Sequence, residues 1–149
     1  MKRYKKRLLL AAFPLLVACG AEKADSGAMA ASAPVTGVEW RVDSVTAGGA
    51  RHSAPPGAAP RLRIGTDGTA AGNLGCNRFS AHATVHGDRI TFGALRTTRM
   101  ACDRARMDFE RALARVLDGQ TLTGAAGPGG LTLTSGHGDR VHLTRGTPG

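Results

Sequence analysis

Aromatic residues are scarce, at 4% of 149, and only Trp40, Phe79, Phe92 and Phe109 lie beyond the first twenty positions. Four such residues, each at an inward position of the pattern described below, leave none to stack on bases, which argues against single-stranded nucleic-acid binding. Long apolar runs are also missing: the longest, Leu8 to Val17, is interrupted by Pro14 and is too short for a permanent membrane span. There is no G-x-S-x-G elbow, no H-E-x-x-H helix, no nucleotide-binding glycine loop and no C-x-x-C pair. These absences exclude the readily recognised hydrolase, metalloprotease and nucleotide-dependent classes, and the expectation is a non-enzyme with no catalytic residue, metal or cofactor. The length leaves room for one small domain.

What is abundant is basic charge, 20 Lys and Arg against 11 Asp and Glu, for a formal net charge of +9. Five of the basic residues, Lys2, Arg3, Lys5, Lys6 and Arg7, stand directly before the apolar run, and without them the balance is 15 against 11, or +4. That position marks a secretory leader rather than a nucleic-acid surface. The run ends Leu16-Val17-Ala18-Cys19, a lipobox pattern with small residues before the cut and a thiol to take diacylglycerol. Residues 1–18 are therefore expected to be a lipoprotein signal peptide and Cys19 the lipidated N-terminus. An ordinary signal peptide with a chance cysteine, or an uncleaved anchor, is the alternative. The expected location is the extracytoplasmic face of the cell membrane, lipid-anchored, because two or more acyl chains hold a protein there stably. Residues 19–37, mostly Ala, Gly and Ser, read as a disordered tether.

The body is expected from 38 to 145, with 146–149 a tail. Its apolar residues alternate: Val38, Trp40 and Val42; Leu62 and Ile64 between arginines; Phe79, Ala81, Ala83 and Val85; Ile90 and Phe92; then Leu122, Leu131 with Leu133, and Val141 with Leu143. Thr66-Asp67-Gly68-Thr69 and His86-Gly87-Asp88-Arg89 read as hairpin turns. From 103 to 117 the period changes, with Phe109, Leu113, Val116 and Leu117 on one helical stripe, Asp103 as N-cap and Gly119 as terminator. The fold class is α+β and β-rich: an antiparallel sheet curled into a partly open, cracked barrel with one packed helix.

Two segments stand out, Gly72-Asn73-Leu74-Gly75-Cys76-Asn77-Arg78-Phe79-Ser80 and Leu95-Arg96-Thr97-Thr98-Arg99-Met100-Ala101-Cys102. Together with Trp40 and the helical Glu110 they resemble the META domain, the family of the heat-shock protein HslJ. The motif residues that carry the resemblance are Trp40, Gly72, Gly75, Cys76, Asn77, Phe79, Thr98, Met100, Cys102 and Glu110. Two departures are Trp40-Arg41-Val42, where many members have Trp-x-Leu, and a longer Ala54 to Pro60 loop. The resemblance implies a compact β-rich fold with one helix, frequent on bacterial lipoproteins and associated with heat shock and novobiocin resistance. It also implies a likeness to the cracked barrel of secretin-pilot lipoproteins, and it carries over no catalytic residue.

Read on their own chemistry, Gly72 and Gly75 fit positions of positive φ or close backbone approach, and Asn73, Asn77, Thr97 and Thr98 satisfy loop backbone groups. With Cys19 taken by lipid, Cys76 and Cys102 remain as an even pair in an oxidising compartment. They form a disulfide, or two buried thiols, or metal ligands with a histidine; the first is the expectation. His82, His86, His137 and His142 read as solvated strand residues that would cluster only if their strands were neighbours. Arg104, Arg106, Arg111 and Arg115 are expected on the exposed helix face with Asp108 and Glu110 as local partners, a basic face able to orient the domain on an anionic membrane. The expected function is a monomeric envelope module that binds an envelope protein or serves in stress response. An apolar-ligand carrier or a protease-inhibitor-like presentation of the Ala54 to Pro60 loop is the alternative; no nucleic acid is expected as partner.

Overall fold

The computed structural model describes residues 34–147. The signal peptide, Cys19 and the tether up to residue 33 lie outside the described residues. The last four tether residues do not: the Val35 carbonyl accepts the Trp40 indole N–H at 2.9 Å, and Gly37 N–H donates to Ile64 O at 2.8 Å. The folded body begins there.

Ten strands and one helix follow: β1 (Glu39–Ala47), β2 (Ala50–Ser53), β3 (Arg61–Ile64), β4 (Thr69–Asn73), β5 (Arg78–His86), β6 (Arg89–Phe92), β7 (Arg96–Thr97), α1 (Arg104–Leu117), β8 (Thr121–Gly127), β9 (Gly130–Ser135) and β10 (Arg140–Arg145). Alternation places Leu62 and Ile64 of β3, Phe79, Ala81 and Ala83 of β5, and Leu131 and Leu133 of β9 inside, with polar residues outside. β2 and β7 were not expected. Neither alternates: β2 reads Ala-Arg-His-Ser and β7 Arg-Thr, with no buried residue between them. Each exists because it pairs with a longer neighbour, β2 with β1 and β7 with β5.

The barrel is closed, not cracked. Eight strands run β1-β10-β9-β8-β6-β5-β4-β3 and return to β1, all pairs antiparallel. Nine-residue β1 makes the closure because it takes β10 along one edge, from Trp40 opposite Arg145 to Thr46 opposite Arg140, and β3 along the other at Glu39 to Arg41. A bulge between Val42 and Ser44 resets its alternation, so that Val45 and Ala47 also face inward. Closure leaves no ring edge unpaired.

The helix lies across the barrel end where β1, β4, β6 and β9 finish. Asp103 caps it by accepting Arg106 N–H at 2.9 Å, and the chain leaves through Gly119, φ 64°. Its stripe of Phe109, Leu113, Val116 and Leu117 is buried to 1% exposure each, where every such side chain is worth about 1.5–3 kcal/mol over remaining in water. At the same end Gly119 N–H donates to Gly93 O after β6, and Leu95 N–H donates to Asp118 Oδ1.

Candidate functional site

The two motif segments meet under α1. Residues 74–77 turn β4 into β5, and residues 98–102 lead from β7 to the helix; Cys76 and Cys102, with Cα atoms 5.9 Å apart, join them in a disulfide across 26 positions. Asn77, 3% exposed, sits at the centre. Its Nδ2 donates to Glu110 Oε1 at 2.6 Å and to Met100 O at 3.1 Å. Its Oδ1 accepts the Thr98 hydroxyl at 2.9 Å and Met100 N–H at 2.6 Å. All four hydrogen-bonding positions of the amide are thus filled, and the Asn77 backbone is held as well, N–H to Glu110 Oε2 at 2.6 Å and O from Leu74 N–H at 2.8 Å.

Glu110 corrects the expectation that it partners arginines on the exposed face. It is buried, and its carboxylate accepts Cys76 N–H at 3.1 Å in addition to the two donors of Asn77. A charged acceptor taking two backbone amides and a side-chain amide forms strong bonds for the surface it loses to water. The sequence carried a signal for this: Glu110, Leu113 and Leu117 fall at i, i+3 and i+7, one helical row, so the carboxylate borders the apolar stripe. Three of the four helical arginines do have surface partners, Arg104 and Arg111 on Asp108 and Arg106 on Asp103, although Arg106 is itself half-buried; Arg115 is in no ion pair among the described residues.

Two glycines of the motif answer to geometry. A Cβ on Gly72 would stand 1.9 Å from the Arg61 carbonyl oxygen, so β3 and β4 could not pair there with any side chain. Gly75 holds φ 125° and is packed against Phe109, a conformation and a contact that exclude larger residues. Trp40 and Phe79, at 0% and 3% exposure, belong to the core. Thr98 donates its hydroxyl to Asn77 and accepts Arg78 N–H at 3.1 Å. Met100, its backbone fixed by Asn77, exposes its side chain at 62%.

The histidines do not converge. β5, with His82 and His86, and β10, with His142, lie four strands apart in either direction round the ring. Among the described residues no group of three His, Cys, Asp or Glu is placed to hold a metal. A cleft of about 240 Å³ beside Arg115, Gln120, Ser135, His137 and Asp139 has two of its polar side chains engaged within the fold: Asp139 accepts Gly48 N–H at 2.9 Å, and Ser135 Oγ accepts the amides of His137 and Asp139. The arrangement under the helix is a clamp whose groups are spent on one another, with none of its polar side chains left aimed at solvent.

The META domain family model matches residues 33–147. No curated protein matches the chain. Among solved structures the chain is similar to an NMR structure of a protein from Burkholderia xenovorans, at 25% identity and TM-score 0.64 over 76% of this chain and 85% of that one. A second NMR structure, at 19% identity and TM-score 0.55 over 72% and 88% of the two chains, shares the fold. Among the described residues no helix is long and apolar enough to cross a membrane.

Proposed function

The chain belongs to the META domain family, and on that premise we propose that it is a non-enzymatic module of the cell envelope, anchored by lipidated Cys19 and working through the outer wall of its barrel. The observation that carries this reading is the self-satisfaction of the motif. Asn77, Glu110 and Thr98, the polar side chains a reaction would need, bond to each other and to the loop backbones they pin. The Asn77 amide has all four of its hydrogen-bonding positions taken, and it holds Glu110 and Thr98 in place, so the group positions structure. The interior supports the outer wall as the working surface: Trp40, Phe92 and Phe109 fill it at 0–1% exposure, whereas side chains lining an acyl-chain cavity would touch a water-sized sphere. Service under envelope stress is part of the same proposal, and the resemblance to a family associated with heat shock supports it.

The anchor is tested by expressing the full chain in a bacterium fed labelled palmitate. Label on the wild type, membrane fractionation, and loss of both on Cys19→Ser are expected. An unlabelled wild type released to the medium contradicts the reading.

A further inference from the structure

One wall of the barrel carries cations and no anions of its own. Strands β3, β4, β5 and β7 contain no Asp or Glu, and four arginines, Arg61, Arg63, Arg78 and Arg96, are exposed on them. Register places these in two adjacent rows. Arg61 stands opposite Asn73 and Asn73 opposite Arg78; two residues along, Arg63 stands opposite Ala71, Ala71 opposite Ser80, and Ser80 opposite Arg96. Neighbouring strands are about 4.8 Å apart, so the arginines frame a floor of short side chains on the order of 10–15 Å wide. Arg61 is paired with Glu39 at 3.4 Å, whereas Arg63, Arg78 and Arg96 take part in no ion pair among the described residues. The helix face differs, since Arg104, Arg106 and Arg111 each stand against Asp103 or Asp108.

A second observation lies beside this wall. Met100, the large apolar side chain that the described residues leave exposed, follows Arg99 in the loop that Thr98 ties to Arg78, where Thr98 N–H donates to Arg78 O at 3.1 Å. The chain enters the body at the same wall but at its far end from Met100: Gly37 N–H donates to Ile64 O at the end of β3, and Glu39 is opposite Arg63. An anchor upstream of Pro34 leads to this wall. Arginines around a flat floor with an apolar tip at the margin match a headgroup layer, in which phosphates take the guanidinium groups and the tip enters the interface.

We infer that the outer wall of β3, β4, β5 and β7, with Met100 at its rim, docks on the anionic headgroup surface of the membrane that holds the lipid anchor, an inference that rests on the anchored reading above. Docking fixes the orientation of the domain and leaves the opposite wall, β8 to β10, free for a partner. It also replaces the helix face as the expected membrane contact, because three of the four helical arginines stand against Asp103 or Asp108, which leaves Arg115 as the one without an ion pair among the described residues.

The test uses the chain from Gly20 on, which retains every described residue and lacks the lipid, so that vesicle binding reads the wall and palmitate labelling reads the anchor independently. Sedimentation with phosphatidylcholine vesicles containing about 30% phosphatidylglycerol is expected, and release by about 0.5 M salt. Pure phosphatidylcholine vesicles are expected not to bind it. The triple variant R63S/R78S/R96S is expected to lose on the order of 100-fold in partition, at about fivefold per arginine, and R104S/R106S/R111S, whose arginines stand against aspartates, no more than roughly threefold. Met100→Ser is expected to lose a few-fold. Equal losses in the two triple variants, undiminished binding of the first, or no binding by the wild type overturns the inference, as does tighter binding to duplex DNA than to the vesicles. If the first variant does not fold, an environment-sensitive dye on Ser80→Cys is compared with one on Ala105→Cys. A blue shift on vesicles at Ser80 alone supports the wall, and a shift at Ala105 alone, at both sites or at neither contradicts it.

Discussion

The two ends of the barrel are closed by different means. At the helix end, closure depends on links between residues far apart in sequence: the Cys76–Cys102 disulfide over 26 positions, Glu110 on Cys76 and Asn77 over 34 and 33, and Asp118 on Leu95 over 23. At the other end it depends mostly on neighbours. Asp67 accepts the amide and hydroxyl of Thr69 two residues on, and the Trp40 indole donates to Val35 five residues back; the links that reach across the chain are Arg145, 5.7 Å over the Trp40 ring, and backbone bonds that need no particular side chain, such as Gly146 N–H to Glu39 O at 2.8 Å. The difference teaches where the residues of a motif belong. A long-range clamp needs particular side chains at particular positions, whereas a tight turn needs only a local type, so the motif collects under the helix.

If this contrast holds, disturbance at the helix end costs most. Replacing Glu110 by Ala strips two buried donors and one half-buried donor of their acceptor, and chemical denaturation is expected to show a loss of roughly 3–5 kcal/mol. Next comes the disulfide. Cys76→Ser and Cys102→Ser are each expected to lose about 3 kcal/mol through the freed unfolded chain, with the double variant little worse than either single one in the same measurement. Additive losses would mean that the cysteines act separately.

The other end should respond weakly. Arg145→Ala removes a cation from the face of Trp40 at an exposed site, and thermal unfolding is expected to register about 0.5–1 kcal/mol. The smallest effect is that of pH at Asp67, whose carboxyl is held below its ordinary value, chiefly by the Thr69 hydroxyl and then by the Thr69 amide. A depressed carboxyl adds stability that is fully present above its unfolded pKa of about 3.9 and is lost as pH falls through the lower folded value. Wild type and Asp67→Asn should therefore converge in melting temperature as pH falls below about 4, and a gap that widens on acidification would reverse the assignment.

The same contrast decides what the sequence reveals. Strands β3, β5, β6, β9 and β10 are legible because inward and outward residues alternate within each one, and the helix because Asp103 and the Phe109 stripe are local. β2 and β7 are silent, since exposed Ala50, Arg51, Arg96 and Thr97 carry no pattern and pairing alone makes them strands. Ring closure is silent too. It joins Trp40 to Arg145 across the length of the body, and nothing near either residue records the other. Of the site, the cysteine pair can be read from compartment and parity, and the two glycines from their special conformational needs. Glu110 cannot be placed by residue type, because a helical carboxylate among arginines looks like a surface partner; only its row with Leu113 and Leu117 hints that it turns inward.

Glu110 and Asn77 lock the loop of the motif onto the helix. Residue-by-residue amide hydrogen exchange tests this lock most directly, at the N–H groups of Cys76 and Asn77, both of which donate to Glu110. Protection equal to that of the core strand β5, lost in Glu110→Ala under conditions where β5 stays protected, is the predicted result. Exchange of these two amides in the wild type as fast as in an open surface loop would contradict the clamp.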